Sequence, residues 1–141
     1  MYTLVDSNIV IYSLAENSPK KDVSQEFIRD YKEILCLSHQ VILETLRVLT
    51  HPKFKNPMTS ERALKSVWTI VNVLTLLSPN LETILTTKEL IKKYEIGSNR
   101  IFDAYLVATA LSNSVGIIAT DNTKHFEIYD EVKILNPFAN W

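Results

Sequence analysis

Cysteine and glycine are both scarce in this chain of 141 residues. Its one cysteine, Cys36, lies inside an apolar run, which indicates a buried strand residue and excludes a disulfide framework. Only two glycines accompany an apolar fraction of 46%, a composition typical of a compact, helix-rich α/β core and unlike that of a disordered or fibrous chain. We therefore expect a folded protein without disulfides that is located in the cytoplasm.

Long apolar runs and an excess of basic charge are missing as well. No stretch approaches the ~18 consecutive apolar residues of a membrane span, and the first residues lack the basic and apolar regions of a signal peptide. We therefore expect neither secretion nor membrane insertion. Fifteen basic and sixteen acidic residues give a net charge of -1. This balance excludes the broad basic surface of a protein that binds long duplexes and leaves room for a small nucleic-acid site.

Length and the order of apolar patterns indicate one α/β domain spanning residues 1–141. Continuous apolar runs predict short strands, and amphipathic segments between them predict helices. The strands are expected at 2–5, 34–37, 74–77, 115–120 and 132–135, and the helices at 8–14, 23–31, 41–49, 59–71, 80–97 and 101–111. Buried parallel strands have this continuous apolar character. We therefore expect a three-layer α/β/α fold with a short-stranded central parallel sheet.

Polar residues at the helix ends support these boundaries. Ser38 is expected to cap the helix at 41–49, and Thr59 or Ser60 the next one. The helix that begins after Asn80 is expected to end near Gly97, and Ser98 or Asn99 is expected to cap the helix that follows.

Four acidic residues are placed where one site could collect them. Asp6 and Asp121 each follow a predicted strand, and parallel sheets bind ligands at the carboxyl ends of their strands. Glu44 and Asp103 lie within apolar helices, where a lone carboxylate is costly. Carboxylates gathered together repel one another and stay ionised mainly around a hard cation. Oxygen ligands alone favour Mg²⁺ or Mn²⁺.

Each acid also has a purely structural explanation. Asp6 could cap the first helix, and Asp121 could be a turn residue before Asn. Glu44 could pair with Arg47, one turn later on its helix, and Asp103 suits the first turn of a helix because of the helix dipole. The case for a site therefore depends on the four acids taken together.

The order of several short motifs resembles that of a PIN domain, and more narrowly that of VapC-type toxins of toxin–antitoxin pairs. The resemblance spans essentially the whole chain. It is carried by Val5-Asp6-Ser7-Asn8, by the segment from Ser38 to Glu44, by Phe102-Asp103 leading into Val107-Ala108-Thr109-Ala110, by Ala119-Thr120-Asp121-Asn122 with Phe126, and by Leu135-Asn136-Pro137.

The resemblance implies a Mg²⁺- or Mn²⁺-dependent endoribonuclease that hydrolyses RNA phosphodiester bonds with metal-activated water. It also implies a homodimer and inhibition by a cognate antitoxin protein. Asp6, Glu44 and Asp103 correspond to the family's first three acidic positions. The fourth position is either Asp121 or Asn122. The family usually places this residue two positions after a threonine, which here is Asn122, whereas the acidic residue Asp121 comes one position after Thr120.

Polar and basic neighbours of the acids are expected to assist them. By resemblance, Ser7 and Asn8 orient Asp6 or bind water on the metal, and Thr120 lies at the rim of the site. For Asn8, helix capping is an equal alternative. Local basic character near the acids suggests contacts with the RNA backbone from Arg100, Lys124 and His125.

Two other classes of function compete with a nuclease. A phosphotransfer domain of the receiver type would have an acidic pair after the first strand and a lysine after the last, whereas Ser7 and Asn136 stand there. A non-catalytic PIN-fold module that binds a partner protein or RNA remains the alternative. The intact acids at three positions favour the enzyme.

Overall fold

The computed structural model describes residues 1–139. This part of the chain forms five strands and seven helices, with one or two helices between successive strands. In order they are β1 (Thr3–Val5), α1 (Ser7–Leu14), α2 (Lys21–Tyr31), β2 (Leu35–Ser38), α3 (His39–Thr50), α4 (Ser60–Val71), β3 (Thr75–Leu77), α5 (Leu81–Tyr94), α6 (Arg100–Ser112), β4 (Ile117–Ala119), α7 (Thr123–Phe126) and β5 (Lys133–Leu135).

All five strands form one parallel sheet in the order β3-β2-β1-β4-β5. Leu4 at the centre of the sheet pairs with Cys36 on one side and Ile118 on the other. Every residue of β1 and β2 is buried, which explains their continuous apolar character. The predicted parallel sheet is confirmed, and Cys36 is a buried strand residue as expected.

The direction of the crossovers places helices on both faces of the sheet. From β1 the chain moves to β2 and then β3, and it returns across the sheet to β4 and β5. Because crossovers between parallel strands are right-handed, α1 to α4 cover one face and α5 to α7 the other. Contacts agree with this arrangement, since α1, α3 and α4 pack together and α5 packs along α6. The three-layer α/β/α prediction is confirmed.

This topology has a switch point between β1 and β4, where connections leave in opposite directions. Loops at the carboxyl ends of two such strands diverge and leave a crevice for a ligand. Asp6 follows β1 and Thr120 follows β4, so both residues lie at this crevice. The fold therefore brings together segments that are more than a hundred residues apart in the sequence.

Side-chain caps define several helix starts as predicted. The Ser38 hydroxyl accepts a hydrogen bond from the backbone N–H of Val41 at 3.2 Å. Thr59, rather than Ser60, caps α4. Asn80 opens α5 with a capping box, in which its side chain accepts from a backbone N–H of the first turn.

Three local features differ from the sequence predictions. Helix α5 ends at Tyr94, three residues before Gly97, and its C-cap residue Glu95 adopts the left-handed conformation, with φ of 51°. Asn99 occupies the N-cap position of α6 without a capping side-chain hydrogen bond. The short helix α7 was not predicted, because four residues are too few to show helical periodicity. No helix within residues 1–139 is both long and apolar enough to cross a bilayer.

The central strand should dominate the stability of the sheet. Leu4 is fully buried, so Leu4→Ala is expected to lower the free energy of unfolding by about 2–5 kcal/mol through lost apolar contacts and a cavity. Leu43 on α3 is 65% exposed, and Leu43→Ala should cost under about 1 kcal/mol. Urea unfolding of both variants measures the difference, and equal losses would contradict this account of the core.

Candidate active site

Asp6 lies at the switch point and is almost completely buried, with 7% of its surface exposed. One carboxylate oxygen, Oδ1, accepts a hydrogen bond from the backbone N–H of Ser7 at 2.8 Å and so caps α1. The other, Oδ2, accepts from the Thr120 hydroxyl at 2.8 Å and from the Asn8 amide at 3.2 Å. Asp6 is therefore a helix cap and a site residue at once, and Asn8 is bonded to it.

Burial raises the pKa of Asp6 to about 6. Hydrogen bonds from Thr120 and Ser7 act against this rise, while the carboxylates of Glu44 and Asp103 add to it. Within residues 1–139, none of the ion pairs involves Asp6. The negative charge of Asp6 is thus disfavoured in this protein unless a cation approaches.

Glu44 approaches the site from α3 and is half-buried. Its Oε2 accepts a hydrogen bond from the Ser7 hydroxyl at 3.1 Å, and its Oε1 accepts one from the Gln40 amide at 3.0 Å. Among the ion pairs of the described residues there is none between Glu44 and Arg47, which was the structural alternative for this carboxylate. Glu44 is instead held toward Ser7, the residue next to Asp6.

Asp103 approaches from the opposite face of the sheet, on the first turn of α6. Its Oδ2 pairs with Arg100 Nε at 2.9 Å and lies 3.4 Å from His125 Nδ1. Burial raises the pKa of Asp103, His125 and Arg100 lower it, and Glu44 raises it further. Arg100 also donates to the backbone carbonyl of His125 and so ties α6 to α7. Two of the three basic residues expected to contact RNA, Arg100 and His125, therefore lie next to the carboxylate of Asp103.

Gln40 is a site residue that the sequence reasoning missed. Its Nε2 donates to Glu44 and also to the backbone carbonyl of Phe102, at 2.9 Å, which links α3 to α6. Its Oε1 is buried and has no hydrogen-bond partner within the described residues. The spacing of four residues between Gln40 and Glu44 on one helix was the signal that could have identified it.

The remaining predicted residues occupy the end of β4. Asp121 forms an ion pair with Lys20 and accepts a hydrogen bond from the Tyr12 hydroxyl at 3.0 Å. Asn122 is exposed, and its backbone N–H donates to the Thr120 hydroxyl oxygen at 3.0 Å. Lys124 is exposed on α7. Lys20 and Tyr12 were not predicted, because only the folded chain brings them to Asp121.

The donor chemistry at this crevice fits a hard divalent cation. Asp6, Glu44 and Asp103 act on one another electrostatically, all three offer oxygen, and Gln40 leaves a buried carbonyl oxygen unpartnered. Their spacing is more open than a finished ligand cage, since no group of three or more His, Cys, Asp or Glu within residues 1–139 is arranged to hold one ion. The residues therefore fit a divalent ion by the chemistry of their oxygen atoms, and a bound ion would need the carboxylates closer together than they are in the described residues.

The fold and the acidic crevice define an α/β protein with an oxygen-rich site at its switch point, and comparison with known proteins gives the family. The model of the PIN domain family matches residues 3–132. The chain therefore belongs to the PIN domain family. No curated protein matches the sequence.

Several solved structures share the fold across nearly their whole length. VapBC2 from Rickettsia felis, bound to a DNA fragment from its promoter, has a TM-score of 0.76 at 15% identity, covering 96% of this chain and 98% of that one. DNA-bound VapBC from Salmonella typhimurium has a TM-score of 0.74 at 19% identity, covering 97% and 98%. VapC20 from Mycobacterium tuberculosis, a sarcin–ricin loop cleaving toxin, has a TM-score of 0.69 at 13% identity, covering 93% and 98%.

The raised pKa of Asp6 predicts a pH-dependent stability in the absence of divalent ions. The pKa is about 6 in the folded protein and about 3.9 in an unfolded chain, so the protonated form is favoured by folding. The stabilisation is complete below pH ~4 and is lost as the pH rises through about 6, which corresponds to about 3 kcal/mol. The raised pKa of Asp103 acts in the same direction.

Urea unfolding at pH 4 and pH 7 in a chelator measures this loss. The native chain is expected to lose about 2 kcal/mol more than Asp6→Asn over this range, since the amide does not titrate and the unfolded carboxyl is already partly ionised at pH 4. Asp22→Asn, at an exposed position on α2, is the matched control and should behave like the native chain. Identical pH profiles for the native chain and Asp6→Asn would contradict the assignment of the titration to Asp6.

Proposed function

We propose that this protein is a Mg²⁺- or Mn²⁺-dependent endoribonuclease, the toxin of a type II toxin–antitoxin pair. The observation that carries the proposal is the convergence of Asp6, Glu44 and Asp103 at the switch point of a PIN fold. A cluster of carboxylates is poorly suited to bind an anionic polymer directly. It is well suited to hold a divalent cation between the protein and a phosphate.

Asp6, Glu44 and Asp103 would hold the ion. When bound, it supplies Lewis-acid chemistry, which lowers the pKa of water and offsets the negative charge of the phosphodiester. The chain's own residues prepare these ligands. Thr120 and Asn8 orient Asp6 through its Oδ2, while Ser7 and Gln40 orient the two oxygens of Glu44.

The basic residues beside the acids are proposed to bind the RNA backbone. Lys124 is exposed on α7, one position before His125, and Arg100 lies across from both on α6. Arg100 and His125 pair with Asp103 in the metal-free protein. A cation at Asp103 would compete with these pairs, and release of the two side chains would make them available to a phosphate.

The partners of this function are proposed from the related structures. VapC20 is a sarcin–ricin loop cleaving toxin, which supports RNA as the substrate. VapBC complexes with DNA support an antitoxin that binds the toxin and a promoter. We propose in addition that the protein is cytoplasmic and acts as a homodimer.

A non-catalytic binding module is the second candidate. It is favoured by the open spacing of the acids within residues 1–139 and by the ion pair of Asp103 with Arg100. In such a module Arg100 would neutralise Asp103 permanently. Loss of Asp103 would then affect stability and partner binding but no reaction.

Incubation of the purified chain with total RNA distinguishes the two functions. Cleavage is expected with Mg²⁺ or Mn²⁺, and it should be abolished by chelator and reduced at least about 100-fold in both Asp6→Asn and Asp103→Asn. Asp22→Asn should retain native activity, because this residue is exposed on α2 outside the crevice. The measurement is the rate at which new 5′-phosphate ends appear.

Equal activity in all four proteins would identify a contaminating nuclease. Silence of the native chain with each metal, together with intact binding to a partner, would favour the binding module and overturn the proposal.

A further inference from the structure

A second cluster lies beside the candidate active site and consists of Tyr12, Lys20, Asp121 and Phe138, which we call the Lys20 clasp. Lys20 Nζ forms an ion pair with Asp121 Oδ2, and the Tyr12 hydroxyl donates to the same oxygen at 3.0 Å. Lys20 Nζ also lies 5.4 Å from the centre of the Tyr12 ring and 5.1 Å from that of Phe138. The two rings meet edge to face at 5.6 Å.

The clasp is shielded from solvent, which makes its ion pair stronger than an ordinary surface pair. The side chains of Lys20 and Asp121 are 26% and 16% exposed. Ion pairs that are screened less by water retain more of their attraction, and an ammonium group next to aromatic rings gains further stabilisation. The charge of Asp121 is therefore already balanced by the protein.

The clasp joins distant parts of the chain around the switch point. Tyr12 is on α1, Lys20 ends the connector before α2, Asp121 follows β4, and Phe138 belongs to the segment after β5. Asp121 and Lys20 are 101 residues apart in the sequence. The clasp consequently fixes the backbone at the end of β4 relative to α1.

From Asp121 a chain of hydrogen bonds leads to Asp6. The backbone N–H of Asp121 donates to Asn8 Oδ1 at 3.2 Å. Because this oxygen must accept, Asn8 Nδ2 faces the other way, where it donates to Asp6 Oδ2 at 3.2 Å and to the Thr120 hydroxyl oxygen at 3.1 Å. The backbone N–H of Asp121 thus favours the orientation of the Asn8 amide in which its Nδ2 donates to Asp6.

The side-chain contacts of Asp121 differ from those of the other acids, since they are made with Tyr12 and Lys20. The carboxylates that act on Asp6 are those of Glu44 and Asp103. Asp121 accepts the hydrogen bond of Tyr12, and burial, this bond and the carboxylates of Asp121 and Asp6 together raise the pKa of Tyr12 to about 12, so the phenol stays a hydrogen-bond donor. Asp121 belongs to the clasp rather than to the three-acid cluster.

We propose that Asp121 is a positioning residue and not a metal ligand: Lys20 and Tyr12 hold Asp121, and its backbone N–H orients Asn8 toward Asp6. This reassigns the fourth acid of the sequence pattern. The metal part of the inference rests on the proposed function, whereas the positioning part concerns the metal-free protein.

Side-chain and backbone amide exchange, measured by NMR without metal, tests the positioning part. Lys20→Met and Asp121→Ala should each accelerate hydrogen exchange at two groups, the backbone N–H of residue 121 and the side-chain amide of Asn8, by about tenfold or more. The reason is that the clasp restrains local opening. Lys20→Arg, which keeps the charge, should stay within about threefold of the native rate. Arg29→Met removes an exposed ion pair with Asp30 on α2 and should change neither rate.

Mn²⁺ binding, measured by calorimetry, tests the metal part. Asp121→Asn keeps an oxygen that can accept from Tyr12 and Lys20, and its Kd for Mn²⁺ should stay within about threefold of the native value, whereas Asp103→Asn should weaken binding at least about 100-fold. Comparable losses in Asp121→Asn and Asp103→Asn would overturn the inference. So would unchanged amide exchange in both Lys20→Met and Asp121→Ala.

The exchange and calorimetry experiments distinguish a failure of this inference from a failure of the proposed function. If the native chain binds no Mn²⁺, the proposed function is contradicted, and the exchange rates alone decide whether the clasp positions Asn8.

Discussion

The candidate site depends on burying the carboxylate of Asp6, which has no ion-pair partner within residues 1–139. Asp6 begins α1 as its cap and accepts hydrogen bonds from Ser7, Asn8 and Thr120. These bonds fix its position but do not offset the cost of burying its charge, so its pKa rises to about 6. The proposed metal would supply the positive charge that Asp6 lacks within the described residues.

The other acids reach Asp6 through the topology of the sheet. Helix α3 brings Glu44 from one face and α6 brings Asp103 from the other, and both residues lie in the first half of their helices, at the edge of the sheet where β1 ends. Gln40 spans the two helices by donating to Glu44 and to the backbone of α6. Hydrogen bonds from neighbouring elements therefore hold the carboxylates in place against their mutual repulsion, and Arg100 forms an ion pair with Asp103.

Local sequence patterns predicted the strands and most of the helices, whereas side-chain contacts between distant segments could not be predicted from them. The strands around Leu4, Cys36 and Ile118 are continuous apolar runs. Ser38 marks the start of α3 because its hydroxyl accepts a hydrogen bond from a backbone N–H three residues later. The left-handed Glu95 carries no such signal, because glycine is the usual residue there. The ion pair of Lys20 with Asp121 depends on packing between segments 101 residues apart. The spacing of apolar residues along the sequence cannot predict such a contact.

The most direct measurement is the free energy of unfolding of the native chain and of Asp6→Asn at pH 7, with chelator and with Mn²⁺. Without metal, Asp6→Asn should be at least as stable as the native chain, because the variant buries no charge. With Mn²⁺ at about 100 times its Kd, the native chain should gain about 2.7 kcal/mol and the variant far less. Equal stabilisation of both proteins, or of neither, would contradict the view that this carboxylate cluster is a metal site.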